Sequence, residues 1–550
     1  MAGVMCTVEV TAMADFKGIS EFHDGLAVSD YLNMIPLGPT CVDRVGDKLV
    51  VNPPTGLKFN VRGTFVDSHN NIYIAYGPSL YRYQYDDMTG SVSEPQIMKM
   101  LVDGKLEDFH FINDTHKISF CESSLKPSEV FACDGKLIYA WATYEGIADL
   151  TYRQFNVNVI CPPNISSTEE KENGALVFWT SEDPQPDFNS LVFGERRNSP
   201  SGVALAAEFK TMAVDMIDWF DNRLVATQLS KNTVWLTRTD PMYYWRDVNR
   251  SVPYLEASEA TGGYELWPNW YSSSANSDKL LNICAYNGQL YFFNEHTIEI
   301  WGRTGNEDAP IQSNTQQVLH FGGTLPTIIE GALFFLGIDS MKQNFIGCFS
   351  PNFSKVSNKE IERRLGEVKS FQKLCQYGET YLFVKQENED GFVFGGGRWW
   401  RWETPSGATY RVVGSVIKDF AVADDASIIQ FDSNSRLSGG CRIHRSVREG
   451  FRQFDKRVII RKLELVADTG RTERPSGLDA KLDDKTIYCA ISVNRGLSFS
   501  QRRYRTLGES GQNDKTIEWR NIGSGNSLLV EIGSSSLHKL QLYDIRMDLR

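Results

Sequence analysis

The sequence predicts an all-β protein with two parts: a β-propeller-like body with insertions, and a small C-terminal antiparallel β-sandwich. Composition is the first indication, because 44 glycines and 12% aromatic residues among 550 are typical of strands joined by tight turns. The second indication is a strand–turn–strand pattern that recurs along the middle of the chain. The third is a change, after about residue 440, to longer stretches of alternating apolar and polar residues.

Each copy of the recurring pattern opens with a turn residue and continues into a run of apolar, aromatic or β-branched residues. A polar turn and usually a second run follow, which is typical of a β-hairpin. The copies begin at Asn71, Gly135, Asn222, Gly288, Gly331, Gly378 and, more weakly, Asp425.

The spacing of the copies predicts propeller blades. Gly288 and Gly331 are 43 residues apart, and Gly331 and Gly378 are 47 apart. A period of about 40–50 residues with several strands per unit is typical of a β-propeller. The wider spacings nearer the N-terminus indicate insertions. We therefore expect roughly six or seven blades over residues 61–440, with a large irregular β-sandwich assembly as the alternative.

Two flanks differ from the repeats. Residues 1–60 contain Pro36, Pro39, Pro53 and Pro54, which predict an extended N-terminal arm. Residues 441–550 contain the longer alternating strands and are predicted to form the C-terminal β-sandwich domain. The start of the chain lacks a basic segment before its apolar residues, so we expect no signal peptide.

One helix is predicted within the body. Ser357 and Glu360 form a capping-box pattern, and Ile361, Leu365 and Val368 follow at helical spacing. Trp301 ends an apolar strand of the Gly288 copy and is expected in the core of a blade, where Trp301→Ala would destabilise the fold by about 3–5 kcal/mol if the ring is fully buried.

Charge and hydropathy restrict the class of protein. The formal net charge is −12, and the sequence contains no long basic run. We therefore do not expect the concentrated positive face of a dedicated nucleic-acid binder. The longest apolar runs, such as residues 332–336, are too short to span a bilayer, so no membrane-spanning segment is expected.

The search for catalytic or ligand-binding motifs identifies no site. The ten cysteines include no Cys-x-x-Cys pair, so buried free thiols are expected. The glycines 395–397 lack the Lys-Ser/Thr of a phosphate-binding loop and predict a tight turn. His296 and Glu299 are three apart on a predicted strand, so they would face opposite sides and could not share a metal. The acidic pairs 86–87, 424–425 and 483–484 are interpreted as solvated turns.

One phrase has enzyme associations. The stretch from Ser492 to Phe499 approximates the Asp-box hairpin of sialidases and other β-proteins, with Asn494 in place of aspartate. That motif is a turn in which the Asn or Asp side chain binds the backbone and glycine adopts positive φ. No catalytic, cofactor-binding or metal-binding residue is therefore assigned, and neither an enzyme nor a cofactor is expected.

The order of short sequence segments along the chain resembles that in the packaged-DNA stabilisation, or tail nozzle (tail hub), proteins of short-tailed bacteriophages (podoviruses). The resemblance covers much of residues 215–370 and 485–535. It rests on Thr239-Asp240-Pro241, Ala257-Ser258-Glu259-Ala260, Asn287 to Gly302, Pro310-Ile311-Gln312, Gly322-Gly323-Thr324, Gly331 to Asp339, Ser357 to Glu362, Ser492 to Ser500, Leu507 to Gly511, Ile517 to Gly523 and Tyr31 to Pro36.

The resemblance implies a structural protein of the virion tail, assembled in the host bacterial cytoplasm. Such proteins form a homo-oligomer, a hexameric ring below a tail adaptor protein, and carry tail fibres or a plug or needle protein. They retain the packaged genome, and double-stranded DNA passes through their lumen during ejection without specific binding. An acidic or neutral lumen would let DNA slide, because it would repel the phosphates.

Two other functions remain open from the residues alone. A carbohydrate-active propeller, such as a glycan depolymerase or a sialidase-like enzyme of a phage tail, would need a carboxylate pair or an arginine cluster with a tyrosine nucleophile. A cellular propeller scaffold would bind other proteins. A six-fold particle with an axial channel would favour the tail nozzle over both.

Overall fold

The computed structural model describes residues 16–21, 28–102, 105–124, 128–143, 156–160, 214–237, 239, 269–272, 278–306, 309–387, 390–468, 485–508 and 515–549. Nearly all regular structure in these residues is β-strand, which confirms the predicted all-β class. Among them, no helix combines the length and the apolar character needed to cross a bilayer.

Five short strands precede the propeller body: β1 (Ser20–Glu21), β2 (Val28–Leu32), β3 (Met34–Pro36), β4 (Cys41–Asp43) and β5 (Gly46–Val51). Blade 1 contains β6 (Val61–Val66), β7 (Asn71–Tyr76), β8 (Ser79–Asp86), β9 (Ser91–Val92) and β10 (Gln96–Ile97). Blade 2 contains a hairpin, β11 (Lys99–Val102) and β12 (Lys105–Asp108), and the strands β13 (Ser119–Glu122), β14 (Glu129–Cys133), β15 (Ile138–Ala142) and β16 (Asn156–Ile160).

Blades 3 to 5 each contain four strands. Blade 3 has β17 (Met216–Phe220), β18 (Arg223–Gln228), a 3-10 turn (Leu229–Lys231), β19 (Thr233–Leu236) and β20 (Asn269–Ser272). Blade 4 has β21 (Leu280–Tyr286), β22 (Gln289–Asn294), β23 (Ile298–Arg303) and β24 (Ile311–Leu319). Blade 5 has β25 (Gly322–Ile329), β26 (Ala332–Ile338), β27 (Asn344–Phe349) and β28 (Phe353–Lys355).

A short helix, α1 (Lys359–Arg364), leads into the last two blades. Blade 6 has β29 (Val368–Gln376), β30 (Glu379–Gln386), β31 (Gly391–Gly395) and β32 (Arg398–Trp402). Blade 7 has β33 (Val412–Ile417), β34 (Phe420–Ala423) and β35 (Ile428–Asp432), with β5 as its fourth strand. The C-terminal strands are β36 (Leu437–Ser438), β37 (Cys441–Arg442), β38 (Arg445–Asp468), β39 (Thr486–Ser492), β40 (Arg503–Thr506), β41 (Lys515–Ser534) and β42 (Gln541–Leu549).

The recurring sequence pattern marks an inner hairpin of each blade. Copies at Asn71, Asn222, Gly288, Gly331 and Gly378 begin second strands, and copies at Gly135 and Asp425 begin third strands. The turn preceding a second strand requires positive φ, as at Gly288 and Gly331, both at +71°. A turn residue is needed there because L-residues with side chains disfavour this region.

The first strands of the blades surround one axis. The strands β6, β13, β17, β21, β25, β29 and β33 contact one another in this order, and β33 contacts β6. Apolar side chains fill the spaces between blades; for example, the rings of Tyr73 in blade 1 and Trp141 in blade 2 lie 5.1 Å apart. This closed circuit confirms the predicted propeller, with seven blades in the part of the chain that is described.

The prediction of an extended arm over residues 1–60 is wrong for the stretch that forms β2 to β5. Strand β5 pairs antiparallel with β35, with Lys48 opposite Gln430, and so closes blade 7. Without β5, strand β35 would present an unpaired edge. The prolines that suggested an arm lie outside this pairing, because Pro36 ends β3 and Pro53 follows β5.

The C-terminal β-sandwich is confirmed, but the N-terminal segment helps to build it. Strands β38 and β41 pair along most of their length, and register shifts bend them. Their two halves therefore fold over one another, and Trp519 Nε1 donates to the Arg503 carbonyl at 2.8 Å. Strand β2 pairs with both β38 and β32 of blade 6, and β4 pairs with β42. The sandwich thus extends beyond the predicted boundaries of 441–550.

A buried charged junction lies where these parts meet. The Asp43 carboxylate accepts hydrogen bonds from Arg436 Nε at 2.7 Å, from Arg445 Nη1 and from the Leu540 N–H at 3.0 Å. The side chains of Asp43, Arg436 and Arg445 are all 0% exposed. Tyr377 of the loop between β29 and β30 donates to the Asp43 carbonyl at 2.8 Å. One carboxylate therefore pairs with arginines from both the propeller body and the sandwich.

The residues beside Asp43 extend this junction. The Arg44 guanidinium stacks on the Trp402 ring at 3.9 Å, and burial lowers its pKa to about 10. Asp47 accepts hydrogen bonds from Tyr410 at 2.8 Å and from Ser438 at 2.6 Å.

Asp30 anchors β2 in the same way. Its carboxylate binds Arg401 of blade 6 at 2.9 and 3.0 Å, and Arg364 at the end of α1 at 3.3 Å. Asp30 is only 5% exposed, so water screens these pairs weakly.

Two local predictions need correction. The helix is one short element, α1, capped by Asn358, whose side chain accepts the Ile361 N–H at 2.9 Å, while Ser357 instead donates to Glu362. Trp301 is half-buried rather than fully buried, and its Nε1 donates to the buried Glu299 carboxylate at 3.0 Å. Its removal should therefore cost less than a fully buried ring would.

The junction generates the first prediction. Asp43→Asn should destabilise the protein by about 3–5 kcal/mol, because two buried arginines lose their shared carboxylate. Urea unfolding of the full-length protein measures this change. Asp108→Asn is the matched control, since the Lys99–Asp108 pair is exposed and worth about 0–1 kcal/mol. Equal midpoints for the two variants would contradict the role given to Asp43.

Candidate functional site

The structure places the motifs that the sequence singled out in turns and strand edges. Gly396 and Gly397 form the β31–β32 turn with φ of +55° and +76°, as predicted. His296 lies on the surface and binds Asp278 at 3.0 Å, whereas Glu299 is buried on β23. Within the described residues, no group of three or more His, Cys, Asp or Glu could hold a metal ion.

The acidic pairs mainly hold turns. Asp86 accepts hydrogen bonds from the Met88 N–H at 2.9 Å and from the Thr89 hydroxyl at 2.8 Å. Asp425 accepts from the Ser427 N–H at 3.0 Å. The pair at 483–484 lies outside the described residues.

The described cysteines are unpaired thiols in unreactive surroundings. Six of the eight are buried, and Cys375 and Cys441 are half-buried. Burial raises the pKa of Cys121 and Cys133, and nearby carboxylates raise it further. Thiols with raised pKa are poor nucleophiles at neutral pH.

The Asp-box-like stretch forms the turn that its sequence indicates. The Asn494 side chain accepts the Ser498 N–H at 3.0 Å, and Gly496 has a φ of +88°. Phe499 lies under the Arg448 guanidinium at 4.8 Å. The turn thus closes the end of β39 and brings no carboxylate pair together.

Charge is distributed very unevenly between the two ends of the chain. Residues 441–550 contain 21 Lys and Arg against 14 Asp and Glu, a net charge of +7, so residues 1–440 carry −19 of the total of −12. The C-terminal unit thus has an excess of positive charge that the total conceals, while the expectation of no concentrated positive face stays a prediction. Counting charges separately for the two predicted domains would have revealed this asymmetry.

Four exposed arginines lie on or beside β40 and β41. We call Arg502, Arg503, Arg505 and Arg520 the arginine edge; all four are exposed. Arg503 donates to the carbonyl of Asn521 at 2.8 Å, and Arg505 donates to that of Glu518 at 3.0 Å.

These contacts have a structural consequence. They cap carbonyl groups of β41, while β40 is the last strand of its sheet path and is exposed along its whole length. Charged side chains at a sheet edge discourage non-specific strand pairing. The arginines therefore make this exposed sheet edge polar and positively charged.

A concave pocket lies at the propeller axis. We call it the axial pocket; it has a volume of ≈460 Å³. Its lining includes parts of β6, β29 and β33, the first strands of blades 1, 6 and 7, which surround the axis. The lining residues are Asn60, Val61, Arg62, Gly63, Thr64, Thr115, Lys117, Lys369, Ser370, Gln372, Lys385, Val413 and Asp424.

Comparison with known proteins places part of this fold in a phage context. Residues 267–375, which include blades 4 and 5, match the family model described as Bacteriophage P22 Gp10, beta-propeller. No curated protein matches the chain.

Several solved structures show weak similarity. The extracellular domain of the putative hybrid two component system BT4673 from B. thetaiotaomicron is 10% identical with a TM-score of 0.36, over 72% of this chain and 40% of that chain. BBS1N, solved in complex with ARL6DN, is 9% identical with a TM-score of 0.38, over 71% and 98%. The WD40 beta propeller domain of Doa1 is 9% identical with a TM-score of 0.34, over 70% and 97%.

The family match and the closed seven-blade ring agree on the fold of the body. The match over residues 267–375 supports a structural protein of a bacteriophage that contains a β-propeller.

Proposed function

We propose that this chain is a non-enzymatic nozzle or hub protein of a phage tail, which forms part of the DNA-ejection channel and helps to retain the packaged genome. The observation that carries the proposal is the match of residues 267–375 to the propeller of a phage protein. The order of short sequence segments in the rest of the chain, which resembles that of tail nozzle proteins, supports the same class of protein. In this role the chain acts by its shape and surfaces in the virion.

The charge distribution supports assembly into a homo-oligomeric ring. The positive C-terminal unit and the body of net charge −19 are covalently joined in every copy. Copies arranged head to tail would place the arginine edge of one against the acidic body of the next. Such heterologous contacts close into a ring when the rotation between copies closes. We propose a hexameric ring, in agreement with the family resemblance.

The same distribution fits a DNA channel. Duplex DNA carries about one negative charge per 1.7 Å, so an exposed positive lumen would hold it. If neighbouring copies cover the arginine edges, the remaining surface is acidic and repels the phosphates. We propose that the tail adaptor binds above the ring, and that fibres or a plug or needle protein bind its outer and lower surfaces.

The assembly proposal predicts an effect of charge reversal. The double variant Arg502→Glu and Arg520→Glu should shift the protein from rings to monomers, because it replaces attraction to an acidic neighbour with repulsion. Mass photometry of the purified protein at low and high salt measures the distribution. The control is the double variant Arg546→Glu and Arg457→Glu, which makes the same change in charge within the same unit.

The outcomes of the charge-reversal experiment separate a specific interface from a general effect of charge. Rings that dissociate with the first variant and persist with the control support the interface. A wild-type protein that stays monomeric at all concentrations, or equal ring formation by all three proteins, would rule out this interface.

The channel role has a separate test in the virion. Particles assembled without this protein should package genomes and then lose them, because the lower end of the tail would be open. DNA retention is measured by nuclease sensitivity of purified particles over time. Infectious, DNA-retaining particles that lack the protein would overturn the proposed function.

A further inference from the structure

The axial pocket contains more positive than negative side chains. Lys117, Lys369 and Lys385 line it together with Asp424, the one acidic residue of the lining. Lys117 lies just before β13 and the other two lie on blade 6, so the fold brings them together from distant parts of the sequence. The Asp424 carboxylate accepts a hydrogen bond from the Arg411 N–H at 2.9 Å.

The three lysines differ in their partners. Lys369 forms an ion pair with Glu387 at 3.2 Å, and Lys385 Nζ donates to the Val412 carbonyl at 3.1 Å. Among the described residues, Lys117 has neither an ion pair nor a hydrogen bond through its side chain. Lys117 is exposed to solvent, whereas Lys385 is half-buried, and burial lowers the pKa of the Lys385 ammonium.

A further lining residue has an unused donor. Arg62 is 8% exposed; its Nε donates to the Gly77 carbonyl at 2.7 Å and its Nη1 to the Asn113 carbonyl at 2.7 Å. Its Nη2 is buried and has no hydrogen-bond partner in the described part of the chain. Buried donors without partners are costly and usually have one in the functional state.

Three neutral polar side chains of the lining are also available to bind a ligand. The side chains of Asn60, Thr64 and Gln372 form no hydrogen bond with the other described residues, so folding does not use their donors and acceptors. A concave site of ≈460 Å³ with convergent polar groups falls within the usual size range of small-molecule sites.

We propose that the axial pocket binds a small anion, a molecule that carries a phosphate or carboxylate group, and that Lys117 is its principal counter-charge. Lys117 is exposed to solvent and has no ion pair or hydrogen bond within the described residues, so its charge is available to a bound anion. The polar groups of Asn60, Thr64 and Gln372 suit the oxygens of such a ligand. This site is independent of ring assembly, because all of its residues come from one chain.

Titration calorimetry of the full-length protein with inorganic phosphate and with citrate tests the proposal, with chloride at matched ionic strength as the reference. Wild type should show saturable binding of at least one of the two anions, and the preferred anion distinguishes a phosphate from a carboxylate ligand. Lys117→Met should weaken binding by at least about tenfold. Lys99→Met, which removes an exposed lysine of blade 2, should bind as wild type does.

Thermal unfolding provides the second measurement and controls for misfolding. Without ligand, Lys117→Met should melt close to the wild-type temperature, because the exposed Lys117 forms no ion pair or hydrogen bond within the described residues. Adding the anion should raise the melting temperature of wild type and of Lys99→Met but not that of Lys117→Met. Absence of saturable binding to wild type, or equal binding by Lys117→Met, would refute the site, whatever the oligomeric state proves to be.

Discussion

The structure depends on one buried carboxylate. Asp43 forms ion pairs with Arg436 at the end of the propeller body and with Arg445 at the start of the sandwich, and all three side chains are shielded from water. A charge pair at such depth stabilises only when both sides are present, because an unpaired buried charge is strongly unfavourable. The N-terminal segment must therefore be in place for the body and the sandwich to keep their relative position.

The segment around Asp43 also determines the shape of the body. Its strand β5 supplies the last strand of blade 7, and its strand β2 joins blade 6 to β38. Residues close to the N-terminus thus close the ring and attach the sandwich within about twenty-five residues. The N-terminal segment therefore connects the sandwich to the propeller body through strand pairing on both sides.

Local features could be predicted from the sequence, and long-range pairing could not. The hairpins at Gly288 and Gly331 were predictable because turn residues, apolar runs and their spacing lie next to one another in the chain. The role of β5 was not, because a short strand carries no signal for a partner almost four hundred residues away. The prolines of residues 1–60 indicate the loops on either side of β5 and carry no information about β5 itself.

The candidate surfaces were hidden for the same reason. Arg502 lies just before β40 and Arg520 lies in β41, and the total charge of −12 masks a C-terminal unit of +7. The axial pocket assembles Arg62, Lys117 and Lys385 from three separate stretches, and only the ring brings them together. A search for motifs within contiguous sequence therefore could not find the axial pocket, whose lining residues come together only in the fold.

The most direct test of this account is whether β5 closes the ring. A variant with Lys48→Cys and Gln430→Cys places two thiols at facing positions of β5 and β35. A short bifunctional thiol reagent should join them in the folded protein, and peptide mapping by mass spectrometry should find the 48–430 link. A link that is absent, or that joins position 48 to other cysteines, would contradict closure by the N-terminal strand and with it the central role of the Asp43 junction.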